Sequence, residues 1–183
     1  MKILTGIAIA IVALIILSQI MRWCFSSYLN SQKGSNEEIL PSSQQSPKKG
    51  LIIYQPGISD NSSRIAHQIA KGLNDGGYEV TLNYPGDYLS ADVSKYSLIV
   101  FGSPVYSGQP SKALTDYMSR IKVSSTGRIV LFSTGGFKFY MELDTMEKSI
   151  NIAKAYKKIK FITSAKNEND TIAYDLGREL SKQ

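Results

Sequence analysis

A chain of 183 residues with 43% hydrophobic content has room for one ordinary globular domain and a short appendage, but not for two large domains. Its formal net charge of +6 is spread along the sequence, and no basic stripe interleaved with aromatic residues appears, which argues against nucleic-acid binding. The single cysteine excludes an intramolecular disulfide, and the single histidine, His67, has no Cys or His beside it. A zinc or haem site is therefore close to excluded.

The first 25 residues are predicted to form a transmembrane anchor. Residues 3–17 are an uncharged apolar run, and the apolar character continues to Phe25 if the Arg22 side chain extends to the interface. About 20 apolar helical residues cross a bilayer, so we expect a single-pass membrane protein. The side of the membrane stays open, because basic residues balance at the two ends of the span. The alternative, a cleaved signal peptide, is disfavoured because no small-residue cleavage site follows the run.

Residues 26–49 are predicted to form a flexible linker. Ser, Gln, Asn and Pro dominate this segment, and it has no apolar periodicity beyond Ile39–Leu40. Such a composition buries too little surface to offset the entropy lost on ordering. We therefore expect the linker to tether a domain formed by residues 50–183.

From residue 50 onward, predicted strands alternate with predicted helices. The strands fall at residues 51–54, 79–83, 97–102, 128–133 and 160–164. Helices are expected from about residue 62 to 73, from Pro110 to about 121, from 144 to 156, and from about 170 onward. Several strands are continuous apolar runs, which is typical of strands covered on both faces. The alternation predicts an α/β domain with a parallel sheet between two helix layers.

Three loops follow strands at the same predicted edge of this sheet, where open parallel sheets bind ligands. The first, PGISDNSS, precedes a helix, whose unpaired N–H groups and dipole suit a phosphate. The second and third, SPVYSG and STGGF, offer small residues and one aromatic each, which predicts stacking on a flat ring. A phosphate beside a planar heterocycle indicates FMN. The predicted cofactor-binding residues are Ser59, Asn61, Ser62, Ser63, Ser103, Pro104, Val105, Tyr106, Ser107, Gly108, Thr134, Gly135, Gly136 and Phe137, with no catalytic side chain and no metal ligand.

These segments resemble the flavodoxins and flavodoxin-like proteins. The resemblance runs from about Lys49 to Leu180 and is carried by LIIYQPGISDNSSRIAHQIAKGL, LIVFGSPVYSGQPSKALTDYM and IVLFSTGGF. It implies a three-layer sandwich with a five-stranded parallel sheet of order 2-1-3-4-5, and noncovalently bound FMN that transfers electrons. It also implies that the four polar residues of the first loop hold the phosphate. Tyr106 would stack on one face of the flavin ring, and Phe137 or Tyr140 would cover the other.

Two residues depart from the family's pattern. Asp60 stands where the first loop usually has glycine, and its carboxylate would lie near the phosphate. Two charges 4 Å apart interact by about 4 kcal/mol at an effective dielectric of about 20, so the direction of Asp60 decides its effect. Ser107 stands where many electron carriers have a glycine whose peptide turns toward the flavin. One-electron and two-electron chemistry both stay open.

The leading hypothesis is a membrane-tethered FMN protein that exchanges electrons with a redox partner protein or a quinone, either as a carrier or as an oxidoreductase. The alternative is a flavodoxin-fold module that binds no cofactor and serves as a binding or scaffolding domain. Asp60 and the irregular first loop favour the module, whereas the second and third loops favour the flavoprotein. A receiver-like regulator is discounted because Gln55 and Pro56, rather than acidic residues, follow the first strand.

Overall fold

A computed structural model describes residues 2–137 and 140–182. The chain divides into two units, Met1–Ser31 and Gln32–Gln183. The first unit contains one helix, α1 (Lys2–Asn30), which extends beyond the predicted end of the anchor at residue 25. Its segment Ile11–Asn30 is long and apolar enough to cross a membrane. Signal sequences and the core helices of soluble proteins share that property.

The second unit is a flavodoxin-like α/β sandwich. Its described residues form six strands in the order β1-β3-β2-β4-β5-β6, in which β1 runs antiparallel to β3 and the other neighbours are parallel. Helices α2 and α5 cover one face of the sheet, and α3 and α4 cover the other. The strands are β1 (Glu38–Leu40), β2 (Lys49–Tyr54), β3 (Glu79–Asn83), β4 (Leu98–Pro104), β5 (Arg128–Gly135) and β6 (Lys157–Ile162); the helices are α2 (Asn61–Asp75), α3 (Lys112–Met118), α4 (Met141–Lys148) and α5 (Lys166–Ser181).

The expectation of a five-stranded sheet is wrong, because β1 adds a sixth strand at one edge. Glu38 and Leu40 of β1 pair with Leu82 and Val80 of β3. The Nε2 atom of His67 in α2 lies 2.9 Å from Glu38, which ties the strand to the helix layer. The segment predicted as a linker, residues 26–49, thus contains the end of α1 and a strand. With β1 set aside, the parallel strands lie in the order β3-β2-β4-β5-β6.

Helix α4 begins earlier and ends earlier than its apolar spacing predicts. The expected helix covered residues 144–156, whereas the structure has Met141–Lys148. Past its end, the N–H of Ala155 donates to Oε1 of Glu147 at 3.0 Å, which turns the chain back toward β6. At the helix end itself, the hydroxyl of Ser149 donates to the carbonyl of Thr145 at 3.0 Å, and side-chain bonds of this kind compete with helical hydrogen bonds.

Alternate strand residues fill the two layers of the core. Ile52 and Val100 face α2 and α5, whereas Ile53 and Phe101 face α3 and α4, and all four are fully buried. This alternation follows from the two-residue period of a strand. Strands buried on both faces explain the continuous apolar runs in the sequence.

Helices α2 and α5 meet at a backbone contact that only glycine permits. A β-carbon at Gly177 of α5 would lie 2.3 Å from the carbonyl oxygen of Ile69 in α2. A β-carbon at Gly72 of α2 would lie 3.0 Å from the α-carbon of Gly177. The two helices are therefore in direct backbone contact. This contact positions α2, whose amino end follows the first of the three predicted loops.

Candidate functional site

The three loops follow β2, β4 and β5, which are adjacent in the middle of the sheet. We call them the first loop (residues 55–63, which include the first residues of α2), the second loop (residues 105–110) and the third loop (from Thr134, at the end of β5, onward). We call the side of the sheet where they lie the carboxyl edge. Strand β2 has β3 on one side and β4 on the other, so the strand order reverses there. A crevice at such a reversal is where open parallel sheets bind ligands.

The first and second loops are joined by a tyrosine. The hydroxyl of Tyr106 accepts a hydrogen bond from the N–H of Ile58 at 2.8 Å. A β-carbon at Gly57 would lie 2.9 Å from that oxygen and 3.2 Å from Cβ of Pro104, so the glycine leaves room for the phenol. The Tyr106 side chain thus reaches back to the first loop, and one N–H of that loop is bonded within the chain.

The second loop contains a tight turn with a serine in a glycine-type conformation. The N–H of Tyr106 donates to the carbonyl of Gln109 at 3.2 Å, and the N–H of Gln109 donates back at 3.0 Å. Between them Ser107 has φ 52° and Gly108 has φ 76°, as a type I′ turn requires. A side chain in this left-handed region costs roughly 1–2 kcal/mol. The backbone of Ser107 is therefore strained, because it adopts a conformation that only glycine adopts at little cost.

The end of β5 is tied to both of the other loops. The hydroxyls of Ser62 and Thr134 lie 2.8 Å apart, and both residues are buried. The N–H of Val105 donates to the carbonyl of Thr134 at 2.9 Å. The three loops are thus connected to one another, and the hydroxyls of Ser62 and Thr134 bond each other inside the domain.

The remaining polar residues of the first loop form a surface network. The side-chain amide of Asn61 donates to the hydroxyl of Ser59 at 2.9 Å. The hydroxyl of Ser63 lies 3.2 Å from that of Tyr54, and burial raises the pKa of Tyr54 to about 12, so this phenol stays neutral. Within the described part of the chain, the N–H groups of Ser59, Asn61 and Ser62 have no hydrogen-bond partner. Unpaired donors thus lie where α2 begins.

Asp60 faces water rather than the crevice. Its side chain is 67% exposed, and the ammonium of Lys166 lies 3.6 Å from its carboxylate. Solvent screens most of the interaction of so exposed a charge.

The sequence reasoning missed Arg64, which is only 14% exposed, pairs with Asp170 and donates to Oδ1 of Asn61 at 2.9 Å. Its position in the first turn of an amphipathic helix was the available signal.

A buried ion pair supports the third loop. Nζ of Lys160 lies 2.5 Å from Oε1 of Glu142, and their side chains are 3% and 1% exposed. The hydroxyl of Ser133 donates to the same carboxylate oxygen at 2.8 Å. A β-carbon at Gly135 would lie 3.2 Å from Nζ of Lys160, so the ammonium lies directly against the end of β5. Sequence reasoning missed this pair, because Lys160 lies between Ile159 and Phe161 in a pattern that predicts a solvent-facing strand position.

The predicted cofactor-binding residues therefore divide into an exposed group and a buried group. Ser107, Gly108, Gly136 and Phe137 are exposed, and Phe137 is 75% exposed. Ser103 is instead buried, and its hydroxyl accepts from the N–H of Ser111 and donates to the carbonyl of Pro104, both at 2.8 Å. The exposed group faces solvent, whereas the buried group holds the loops in place.

A cavity of about 420 Å³ lies elsewhere, on the face of the sheet covered by α3 and α4. Its walls include Leu51, Ile53, Tyr96 and Tyr117. It exists because residues 84–97, which connect β3 to β4, contain no helix to cover that part of the sheet. None of the predicted cofactor-binding residues lines it.

Among the residues that the structure describes, no group of three His, Cys, Asp or Glu side chains is placed to hold a metal ion.

Comparison with known proteins identifies the fold. No family model matches the chain. An uncharacterized protein of Methanocaldococcus jannaschii is 34% identical over 92 residues, which are 50% of this chain and 57% of that relative. A flavodoxin from Streptococcus pneumoniae has a TM-score of 0.59 at 16% identity, covering 73% of this chain and 97% of that one. The flavodiiron core from Synechocystis has a TM-score of 0.58 at 18% identity, covering 77% of this chain and 36% of that one. The chain has a flavodoxin-like fold.

Proposed function

We propose that this chain, with its flavodoxin-like fold, is a membrane-anchored FMN-binding protein that transfers electrons. The observation that carries the proposal is the convergence of three loops at the carboxyl ends of β2, β4 and β5. The Ile58–Tyr106 and Ser62–Thr134 hydrogen bonds join these loops into one site. Unpaired N–H groups lie on one side of the site and exposed aromatic residues on the other. That combination suits a ligand with a phosphate and a flat ring.

At the phosphate end, the N–H groups of Ser59, Asn61 and Ser62 and the hydroxyl of Ser59 would hold FMN. Hydrogen bonds to a charged group contribute about 1.5–3 kcal/mol each. The amino end of a 15-residue helix adds a favourable dipole. Asp60 does not oppose the phosphate strongly, because its carboxylate is exposed to water and lies near Lys166.

At the ring end, the second and third loops would flank the flavin. Phe137 is exposed there, and a β-carbon at Gly136 would meet no atom within 4 Å, so the third loop leaves open space. Tyr106 approaches from the second loop. When bound, FMN supplies reversible electron transfer, and the chain's residues bind it, orient it and limit its contact with water.

The proposed partners are a redox protein or a quinone in the same membrane. Helix α1 supports this part of the proposal, since its apolar segment has the length that a bilayer requires. A domain held at a membrane meets membrane-borne partners far more often than one free in solution. The chain then acts as a carrier, or as an oxidoreductase that uses the quinone directly.

Purification of the full chain in a mild detergent tests the proposal. We expect a yellow protein, or one that becomes yellow when FMN is added, with the flavin fluorescence quenched by the adjacent aromatic rings. Denaturation and quantification of the released flavin should give about one FMN per chain. A colourless protein that binds no FMN at micromolar concentrations would contradict the proposal.

The second candidate function is a binding module without a cofactor. It is favoured by one observation: the N–H of Ile58 and the hydroxyl of Ser62 are already bonded within the chain. A module of this kind keeps both bonds when FMN is added. The amide NMR signal of Ile58 separates the two functions, because FMN shifts it only if the first loop takes part in binding.

A further inference from the structure

The carboxyl edge exposes large apolar side chains besides Phe137. Ile58, Tyr140 and Met141 are 61%, 57% and 73% exposed. Ile58 belongs to the first loop, Tyr140 precedes α4, and Met141 is the first residue of that helix. All three therefore lie at the ends of parallel strands, on the same edge of the domain. Apolar side chains gathered on one surface mark a place of interaction.

The direction of β1 places the start of the domain at this edge. Strand β1 runs antiparallel to β3, and Glu38 at its beginning pairs with Leu82, one residue before the carboxyl end of β3. Just before β1, the N–H of Asn36 donates to Oδ1 of Asn83 at 2.8 Å, and Asn83 is the last residue of β3. The chain thus enters the sheet from the carboxyl edge.

The second unit also begins at this edge. Its first residue is Gln32. Nε2 of Gln32 donates to the Asp87 carboxylate at 2.8 Å, and the N–H of Asp87 donates to Oε1 of Gln32 at 3.0 Å. Asp87 lies just past the end of β3. The residue by which the chain enters the domain is therefore bonded at the carboxyl edge.

We propose that the carboxyl edge docks on the surface of the lipid bilayer that holds α1. Ile58, Tyr140 and Met141 then enter the boundary between headgroups and acyl chains, where aromatic and apolar side chains are favoured. Asp60 and Asp87, which are 67% and 78% exposed, carry negative charge at the same edge, and each has a cation beside it, Lys166 at 3.6 Å and Arg120 at 3.3 Å. Because these charges are paired, the edge suits a zwitterionic surface.

Docking has a consequence for the proposed electron transfer. The proposed flavin site lies on the same edge as the apolar side chains. A lipid-soluble electron donor or acceptor then reaches that site from the bilayer without crossing water. This consequence rests on the proposed function, whereas docking itself requires no flavin.

Depth-dependent quenching in vesicles tests the docking. The full chain, with Cys24→Ser, receives one new cysteine by Met141→Cys at the carboxyl edge or by Ser125→Cys in the exposed turn before β5 at the opposite edge. Each cysteine is labelled with a fluorophore, and the chain is reconstituted in phosphatidylcholine vesicles with and without brominated acyl chains. We expect several-fold stronger quenching of the label at position 141 than at position 125. Equal quenching, stronger quenching at 125, or a chain that does not float with the vesicles would overturn the proposal.

A second set of variants separates docking from folding and from flavin binding. Ile58→Asp replaces an exposed side chain, and we expect it to reduce the quenching at position 141 several-fold. Ile172→Asp, at an exposed position on α5, is the matched control and should leave it unchanged. Equal loss in the control, or no loss in Ile58→Asp, would contradict the assigned surface. Failure to bind FMN would overturn the proposed function but leave this result intact.

Discussion

The first and third loops reach the same edge of the sheet, but different interactions hold them there. The first loop leads into α2, which is fixed by direct backbone contact with α5 at Gly177. The third loop follows β5, under which Glu142 and Lys160 form a buried ion pair. The contact between the helices is uncharged and depends on close packing of the two backbones. The support under the third loop depends instead on the attraction between two charges that are shielded from solvent.

This difference separates the two ends of the proposed site. The backbone contact leaves α2 little freedom, so its unpaired N–H groups are positioned before any ligand arrives. The third loop is anchored from below at Gly135 but exposes Gly136 and Phe137 to solvent. We infer a preformed phosphate end and a ring end that adapts to its ligand.

Removal of one partner of the buried ion pair should have the largest effect on stability. Lys160→Met leaves the Glu142 carboxylate buried without its cation, which costs about 3–5 kcal/mol in comparable buried pairs. Chemical denaturation followed by circular dichroism measures this change. The double variant Glu142→Leu with Lys160→Met should recover most of the loss, because neither charge remains buried.

Lys158 provides the matched control on the same strand and helix. It pairs with Asp144 at 2.8 Å and Glu147 at 3.0 Å near the surface, and its hydrogen bonds lower the pKa of both carboxyls. Their stabilisation is therefore present at neutral pH and is lost as the pH falls through the lowered values. Lys158→Met should change stability far less than Lys160→Met, and equal losses would show that burial does not distinguish the pairs.

The next largest effect should come from the helix contact. Gly177→Ala places a methyl group 2.3 Å from the carbonyl oxygen of Ile69 in α2. Overpacking of this kind costs about 1–3 kcal/mol, which exceeds the gain of about 1 kcal/mol in helix propensity. We expect a lower unfolding midpoint in urea. Gly136→Ala is the control, since its methyl group meets no atom within 4 Å, and a drop as large as that of Gly177→Ala would refute the packing argument.

The link between the first and third loops should have an effect of comparable size. Ser62→Ala leaves the Thr134 hydroxyl buried without its partner and should lower stability by about 1–3 kcal/mol. A double-mutant cycle with Thr134→Val isolates the pair, and the double variant should lose less than the sum of the single variants. Additive losses would show that the two loops are not coupled through these hydroxyls.

The second loop should give the smallest effect, and it should be a gain. Ser107→Gly relieves a left-handed backbone that costs a side chain roughly 1–2 kcal/mol, partly offset by about 0.5–1 kcal/mol of added unfolded-state entropy. We expect up to about 1 kcal/mol of stabilisation by thermal unfolding. Ser125→Gly, in a turn without positive φ, should give no gain, and stabilisation of both variants alike would reject the strain argument.

The sequence predicted those parts of the fold that depend on local patterns. The continuous apolar runs around Ile52, Val100 and Val130 identified the central strands, and their order along the chain identified the edge that carries the loops. Strand β1 could not be predicted, because its three residues contain only two apolar side chains and its pairing depends on β3. The end of α4 at Lys148 was also missed, because the apolar spacing continues past it to Ile150 and Ala153.

The site was predictable in its loops but not in its supports. Small and aromatic residues after buried strands marked the positions of Tyr106 and Thr134. Their actual partners, the N–H of Ile58 and the hydroxyl of Ser62, lie 48 and 72 residues away and follow only from the folded structure. Glu142 and Lys160 likewise read as surface charges until the strand and the helix are placed together.

The most direct test of the central claim compares the affinities of the full chain for FMN and for riboflavin. The two ligands share the ring and differ in the phosphate, which we assign to the N–H groups of the first loop. One charge-assisted hydrogen bond contributes about 1.5–3 kcal/mol, and about 1.4 kcal/mol corresponds to a tenfold change in affinity. Fluorescence titration should therefore show FMN binding more than about tenfold tighter than riboflavin. Equal affinities, or no binding of either ligand, would contradict the account.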